Sequence, residues 1–117
     1  LNIEGDLDLS EMPISSLPDN LNVSGKITLE DTNITSLPNN LQADFLDLFG
    51  LPITSLPDDL KVNNLILIST KITSLPDNLK LDYLALDNTP ISKKYNVDQI
   101  RKMIEDKGGY VKGEIVI

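Results

Sequence analysis

Six carboxylates crowd the first half of the chain: Asp6, Asp8, Glu11, Glu30, Asp31 and Asp47. Converging carboxylates can hold a divalent cation, and two set across a gap can hydrolyse a glycosidic bond. Calcium, however, needs roughly six to eight oxygens converging at about 2.5 Å. Rows of acids on neighbouring strands, about 4.8 Å apart, do not close around one ion. The spacing therefore reads as a solvated acidic face that also guards an open edge strand. The rest of the catalytic repertoire is thin. The chain has no histidine and no cysteine, which removes imidazole acid–base chemistry, thiol nucleophiles, thiolate metal sites and disulfides. No phosphate loop, nucleophile elbow or metal motif stands in the sequence. The expectation is a protein that is not an enzyme and needs no cofactor.

Charge points to the kind of partner. Residues 1–70 carry eleven acids against Lys26 and Lys61, whereas residues 71–117 carry seven acids against eight bases. Nucleic acid requires a basic stripe, and the acidic stretch opposes one. No apolar run approaches membrane-spanning length, and no signal peptide is visible. The expected partner is a protein or peptide, with basic character favoured, and not nucleic acid or membrane. The expected location is cytoplasmic, in a bacterium or a host cell. Because the chain opens on Leu1 inside a repeat, a missing upstream segment is expected and secretion stays open.

The elements that must carry these residues announce themselves by repetition. "ITSLPDN" at Ile72 has near copies at Ile14, Ile34 and Ile53, and Ile91 continues the series, at spacings of 20, 19, 19 and 19. Before each isoleucine stands an alternating apolar pair: Leu7/Leu9, Ile27/Leu29, Leu46/Leu48, Leu65/Leu67 and Leu84/Leu86. Alternation of period two predicts a strand with one buried face. The phrase itself predicts an extended return path. Pro18, Pro38, Pro57 and Pro76 hold φ there, and Asn20, Asn40 and Asn78 suit a left-handed turn, with Asp59 in that place once. Thr32, Thr70 and Thr89, with Thr35, Thr54 and Thr73, recur in step and predict hydroxyls that satisfy backbone groups inside the turn. The first two units run one residue longer, and Gly5 and Gly25 are expected to absorb the extra residue as a bulge.

Residues Val62 to Ile72, "VNNLILISTKI", read L-x-x-L-x-L-x-x-T-x-I. This resembles the leucine-rich repeat family in its short bacterial and phage form, and is similar to the repeats of secreted bacterial effectors. The resemblance implies a mainly-β repeat solenoid. It would be a right-handed array with a parallel concave sheet of about six short strands and extended convex returns. Some such effectors append a ubiquitin ligase domain with a catalytic cysteine; this chain has no cysteine, so that activity does not carry over. Residues 1–95 hold five units. Residues 96–117 form a cap: a helix over about 97–107, opened by Asn96 and closed before Gly108, then a sixth strand over about 111–117. "VKGEIVI" matches "IEGDLDL" there, and Ile115 and Ile117 are expected to be its buried pair.

The resemblance also implies that partners bind on the concave face, through the outward strand positions. Unit three presents Phe45, Asp47 and Phe49. Unit four presents Asn64, Ile66 and Ile68. Unit five presents Tyr83, Ala85 and Asp87, and the sixth strand adds Val116. An apolar cluster with aromatic residues on a solvent-facing sheet marks an interaction site. The leading expectation is a protein–protein recognition module. The alternative is a structural or self-associating component of a virion or surface assembly, joining copies through this patch or through its open edges.

Overall fold

The computed structural model describes all residues from Leu1 to Ile117 and is a mainly-β parallel solenoid of about four turns. The strands are β1 (Asn2–Ile3), β2 (Leu7–Asp8), β3 (Asn22–Thr28), β4 (Gln42–Asp47), β5 (Lys61–Ile66), β6 (Lys80–Leu81) and β7 (Tyr83–Ala85). Two helices follow, α1 (Pro90–Lys94) and α2 (Val97–Asp106), and the chain ends with β8 (Tyr110–Val111) and β9 (Ile115–Val116). The main sheet runs β1-β3-β4-β5-β7-β9, with β2 also on β3, and every pairing is parallel. A short parallel pair, β6 with β8, completes the strands.

Register explains the sequence period. Ile27, Leu46, Leu65, Leu84 and Ile115 stand opposite one another on successive strands. All five are buried, the first four at 0% exposure. The phrase isoleucines Ile34, Ile53, Ile72 and Ile91 close the same core from the return side and are also buried. Parallel strands joined by identical returns can stack only in this way, since a slip of one residue would turn the leucines to solvent.

Three buried hydroxyls tie each strand end to its turn. Thr32, Thr70 and Thr89 donate to the carbonyls of Leu29, Leu67 and Leu86 at 2.8, 2.8 and 2.7 Å. This is half of the hydroxyl ladder that the sequence predicts: Thr35, Thr54 and Thr73 are exposed, and of these Thr73 alone donates, to the Thr54 carbonyl at 3.4 Å. Asn20, Asn40 and Asn78 have φ of 63°, 56° and 58°, as expected, whereas Asp59 does not have positive φ. A second left-handed row, at Glu11, Asp31, Gly50, Ser69 and Asn88, ends the strands. The conformation turns the chain out of the strand while the ladder still continues, for Gly50 and Ser69 donate to the carbonyls of Ile68 and Asp87 at 3.0 and 2.9 Å.

The bulge lies where it is expected. Between β3 and β4 the register shifts between Val23 and Lys26. A Cβ on Gly25 would stand 2.7 Å from the Gly5 carbonyl oxygen, so the two chains approach too closely for a side chain.

The C-terminal cap corrects two expectations. There are two helices rather than one. Thr89 accepts a hydrogen bond from the Ser92 N–H and Ser92 Oγ accepts one from the Thr89 N–H, a capping box with Pro90 at the start of α1. The letters "TPIS" contain that signal, but the isoleucine period masks it. α2 begins on a second such box between Asn96 and Gln99 and buries Ile100 and Ile104. The sixth strand forms, but Ile117 is 44% exposed. Arg101 closes part of this end by donating from Nη1 to the Val111 carbonyl and from Nη2 to the Gly113 carbonyl. The N-terminal end has no such cover: Ile3, Leu7, Leu9, Ile14 and Leu17 are only partly buried.

Two tests follow from the register. Leu67→Asp should cost more than about 3 kcal/mol, because it buries an unpaired charge. Ile66→Asp, on the opposite face, should retain a cooperative melt with a loss of at most about 1 kcal/mol. Thermal melts showing equal damage would put the strand phase off by one residue. Deleting residues 110–117 should lower Tm well beyond the effect of trimming a tail, because it removes buried Val111 and Ile115 and leaves Arg101 without its carbonyls. Unchanged melting would overturn the sixth-strand pairing.

Candidate functional site

The strand face carries the outward residues in rows across the sheet. Lys26, Phe45, Asn64 and Tyr83 form one row, partner to partner in register. Asp8, Thr28, Asp47, Ile66, Ala85 and Val116 form the next. Beyond them lie Phe49, Ile68 and Asp87, two residues further along their strands. Strand pairing thus brings together all ten residues singled out from the sequence.

Their accessibility differs from residue to residue. Phe49 is open, at 44% exposure, while Phe45, Asp47, Asn64, Ile66, Ile68, Tyr83, Asp87 and Val116 are half-buried. Ala85 corrects the expectation of an open position, since only 1% of it is exposed. Its methyl group sits in register between the larger Ile66 and Val116, and it faces away from the continuous core of the solenoid. It therefore forms the floor of the patch and offers no surface of its own.

Two acids on this face are held by local bonds, and the acids gather around no common centre. Asp8 Oδ1 accepts the Ser10 N–H and Asp47 Oδ1 accepts the Phe49 N–H, both at 3.0 Å. The same short turn thus recurs two strands apart. No group of three or more acidic side chains is arranged to hold a metal ion. The hydrogen bonds from the Ser10 side chain and then its N–H hold the Asp8 carboxyl below the ordinary aspartate range, with a smaller contribution from Lys26. Lys26 is central to this face. Its Nζ lies 4.8 Å from the centroid of the Phe45 ring and 4.0 Å from Asp47 Oδ2.

A second concave surface was not foreseen. On the flank, at the start of the strands, the row Asn22, Gln42, Lys61 is continued by Lys80 and Tyr110. These residues line an open groove of about 660 Å³ together with turn residues such as Asp58 and Asp59. Their recurrence one position before each buried Val23, Ala43, Val62, Leu81 and Val111 was available in the sequence. The groove is mixed in charge and largely polar, whereas the strand face alone concentrates apolar residues.

These features define a class, a parallel β repeat solenoid with an acidic and apolar strand face. No helix is long and apolar enough to cross a membrane. Comparison with protein-family models, curated proteins and solved structures gave no match.

The Asp8 contacts make a measurable claim. Ser10→Ala should raise the Asp8 pKa toward the ordinary value, read by carboxyl NMR titration. A folded pKa below the unfolded one stabilises the protein above the unfolded pKa. That contribution is lost as pH falls through the folded value. The parent should therefore lose stability relative to Ser10→Ala as pH drops into the acid range, and the difference should persist at neutral pH.

Proposed function

We propose that this chain is a non-catalytic recognition module of leucine-rich repeat type, binding a protein or peptide on its strand face. One observation carries the reading. Phe49 is 44% exposed within a patch of Phe45, Ile66, Ile68, Tyr83 and Val116, on a sheet face whose neighbouring strands are acidic. Exposed aromatic and branched residues in a contiguous patch favour association, and the acids beside them favour a partner with basic side chains.

Size narrows the partner. Strands about 4.8 Å apart give a face on the order of 300 Å², doubled at most by side-chain relief. A standard interface buries about 800 Å² on each partner. A loop or an extended peptide fits this face better than a broad globular surface does.

Self-association is the second reading, favoured by the 44% exposure of Phe49 within the same apolar patch, which a second copy would cover. The acids Asp8 and Asp47, carried on the same face by every copy, oppose joining two such faces.

Selection from a displayed peptide library tests the first reading. The parent should enrich sequences that pair apolar with basic residues. The double substitution Phe49→Ser with Ile68→Ser should lose that enrichment by more than about tenfold, the scale of two interface anchors, with Tm nearly unchanged. Equal enrichment by both proteins would remove the strand face as the site. Sedimentation showing dimers at micromolar concentration would favour self-association.

A further inference from the structure

Lys26 is the one base among the outward residues of the five strand units, and it sits where the face is otherwise acidic and apolar. It stands opposite Phe45 in register, and its ammonium group lies 4.8 Å from the centre of that ring. Asp47 follows two residues along the same strand. The Phe49 N–H holds its Oδ1 at 3.0 Å, which leaves Oδ2 for another donor. Lys26 Nζ stops 4.0 Å short of that oxygen. A charge-assisted hydrogen bond spans about 2.7–2.9 Å, so the pair is loose. The Asp47 side chain is 14% exposed and that of Lys26 is 44% exposed, so the carboxylate is fixed and sheltered while the lysine is free to move.

An aromatic face beside a sheltered carboxylate oxygen is a receptor for an organic cation. We propose that Phe45 and Asp47 form a seat for an arginine or lysine side chain of a protein partner, and that Lys26 fills this seat in the free protein. The proposal rests on the strand-face reading above and adds the chemistry of the ligand. Arginine suits the seat better than lysine does. Its planar guanidinium stacks on the Phe45 ring while an N–H at its edge reaches Asp47 Oδ2. Lys26 is tethered to the neighbouring strand and satisfies the ring without reaching the oxygen. Ile66 lies opposite Asp47 in register, and Phe49 follows it along the strand. The preferred ligand is therefore an arginine with an apolar residue beside it. Lys26 is a built-in competitor that weak cations do not displace.

Lys26→Met opens the seat while keeping the length of the side chain. N-acetylarginine amide is the probe, followed through the ring protons of Phe45 by NMR. The variant should bind it roughly two- to fivefold more tightly than the parent does, the scale of an exposed cation–ring contact. N-acetylnorleucine amide, which is uncharged, should give no saturable shift. Phe45→Leu added to Lys26→Met should abolish the gain. Lys61→Met, which removes an equal charge from the flank, should produce none. Equal binding by parent and Lys26→Met, or an equal gain from Lys61→Met, overturns the seat. Lys26→Gln gives the same comparison if the methionine variant melts early.

A second arm separates this proposal from the one beneath it. The ligand is a peptide of one arginine flanked by leucines, compared with the same peptide carrying norleucine. Probe binding in Lys26→Met without peptide binding to any variant keeps the seat and removes strand-face peptide recognition. Equal binding of both peptides, unaffected by Lys26→Met but lost in Phe49→Ser with Ile68→Ser, keeps recognition and removes the seat.

Discussion

Every feature of this protein depends on stacking one turn on the next in register. A single turn has a strand too short to stand alone and a return with no helix to satisfy its own backbone. Its leucines find cover only above and below. Parallel pairing of Ile27, Leu46, Leu65, Leu84 and Ile115 meets both needs at once, since it completes the backbone ladder and excludes water from the apolar column. The same requirement forces side-chain bonds to repeat. The Asn39 N–H donates to Asp19 and the Asn40 N–H to Asp59, at 3.0 and 2.9 Å, so adjacent turns are tied at their corners as well as along their strands.

Stacking leaves two ends, and they are treated differently. At the C-terminal end α2 drops Ile100 and Ile104 into the core, and Arg101 binds the carbonyls of Val111 and Gly113. Those carbonyls would otherwise invite another strand. Lys107 anchors the helix end to the array by donating to the Leu75 carbonyl at 2.8 Å, and its own carbonyl accepts the Asn78 N–H at 2.9 Å. At the N-terminal end, Ile3, Leu7 and Leu9 occupy positions that are fully buried one turn later at Val23, Ile27 and Leu29. The same letters give a core in one turn and a half-wet surface in another, because burial there is a property of the neighbour.

The strand face inherits its capacity for recognition from the same rule. Inward positions have to repeat, so variation collects on the outward positions. Acids gather on the first strands and apolar residues on the later ones, with Lys26, Phe45 and Asp47 at the boundary. The boundary is the chemically richest point of the face. A ring, a carboxylate and an ammonium group meet there because two adjacent strands bring residues 26 and 45 opposite each other.

The parallel solenoid was what the resemblance to a known repeat implied, while residue spacing made the strands, their buried column, three of the threonine hydroxyls and the capping of α2 legible. Each of these last depends on spacing along the chain, and period and cap residues are local quantities. Spacing also placed the outward rows, because the alternation within a strand needs no partner. Only the tertiary structure decided how open those rows are. Ala85 lies in the right row but is closed off by its neighbours Ile66 and Val116, whereas Phe49, two residues past Asp47, is open. Ile117 repeats a buried letter and is nevertheless 44% exposed. The flank groove lies where the recurring row of Asn22, Gln42 and Lys61 meets the turn residues Asp58 and Asp59. The contact of Lys26 with Phe45 joins residues 19 apart, which the repeat aligns, but the loose 4.0 Å approach to Asp47 depends on how a long side chain settles between two strands. Burial and approach are set by the volume of neighbouring side chains in three dimensions, and the linear pattern records only which residues become neighbours.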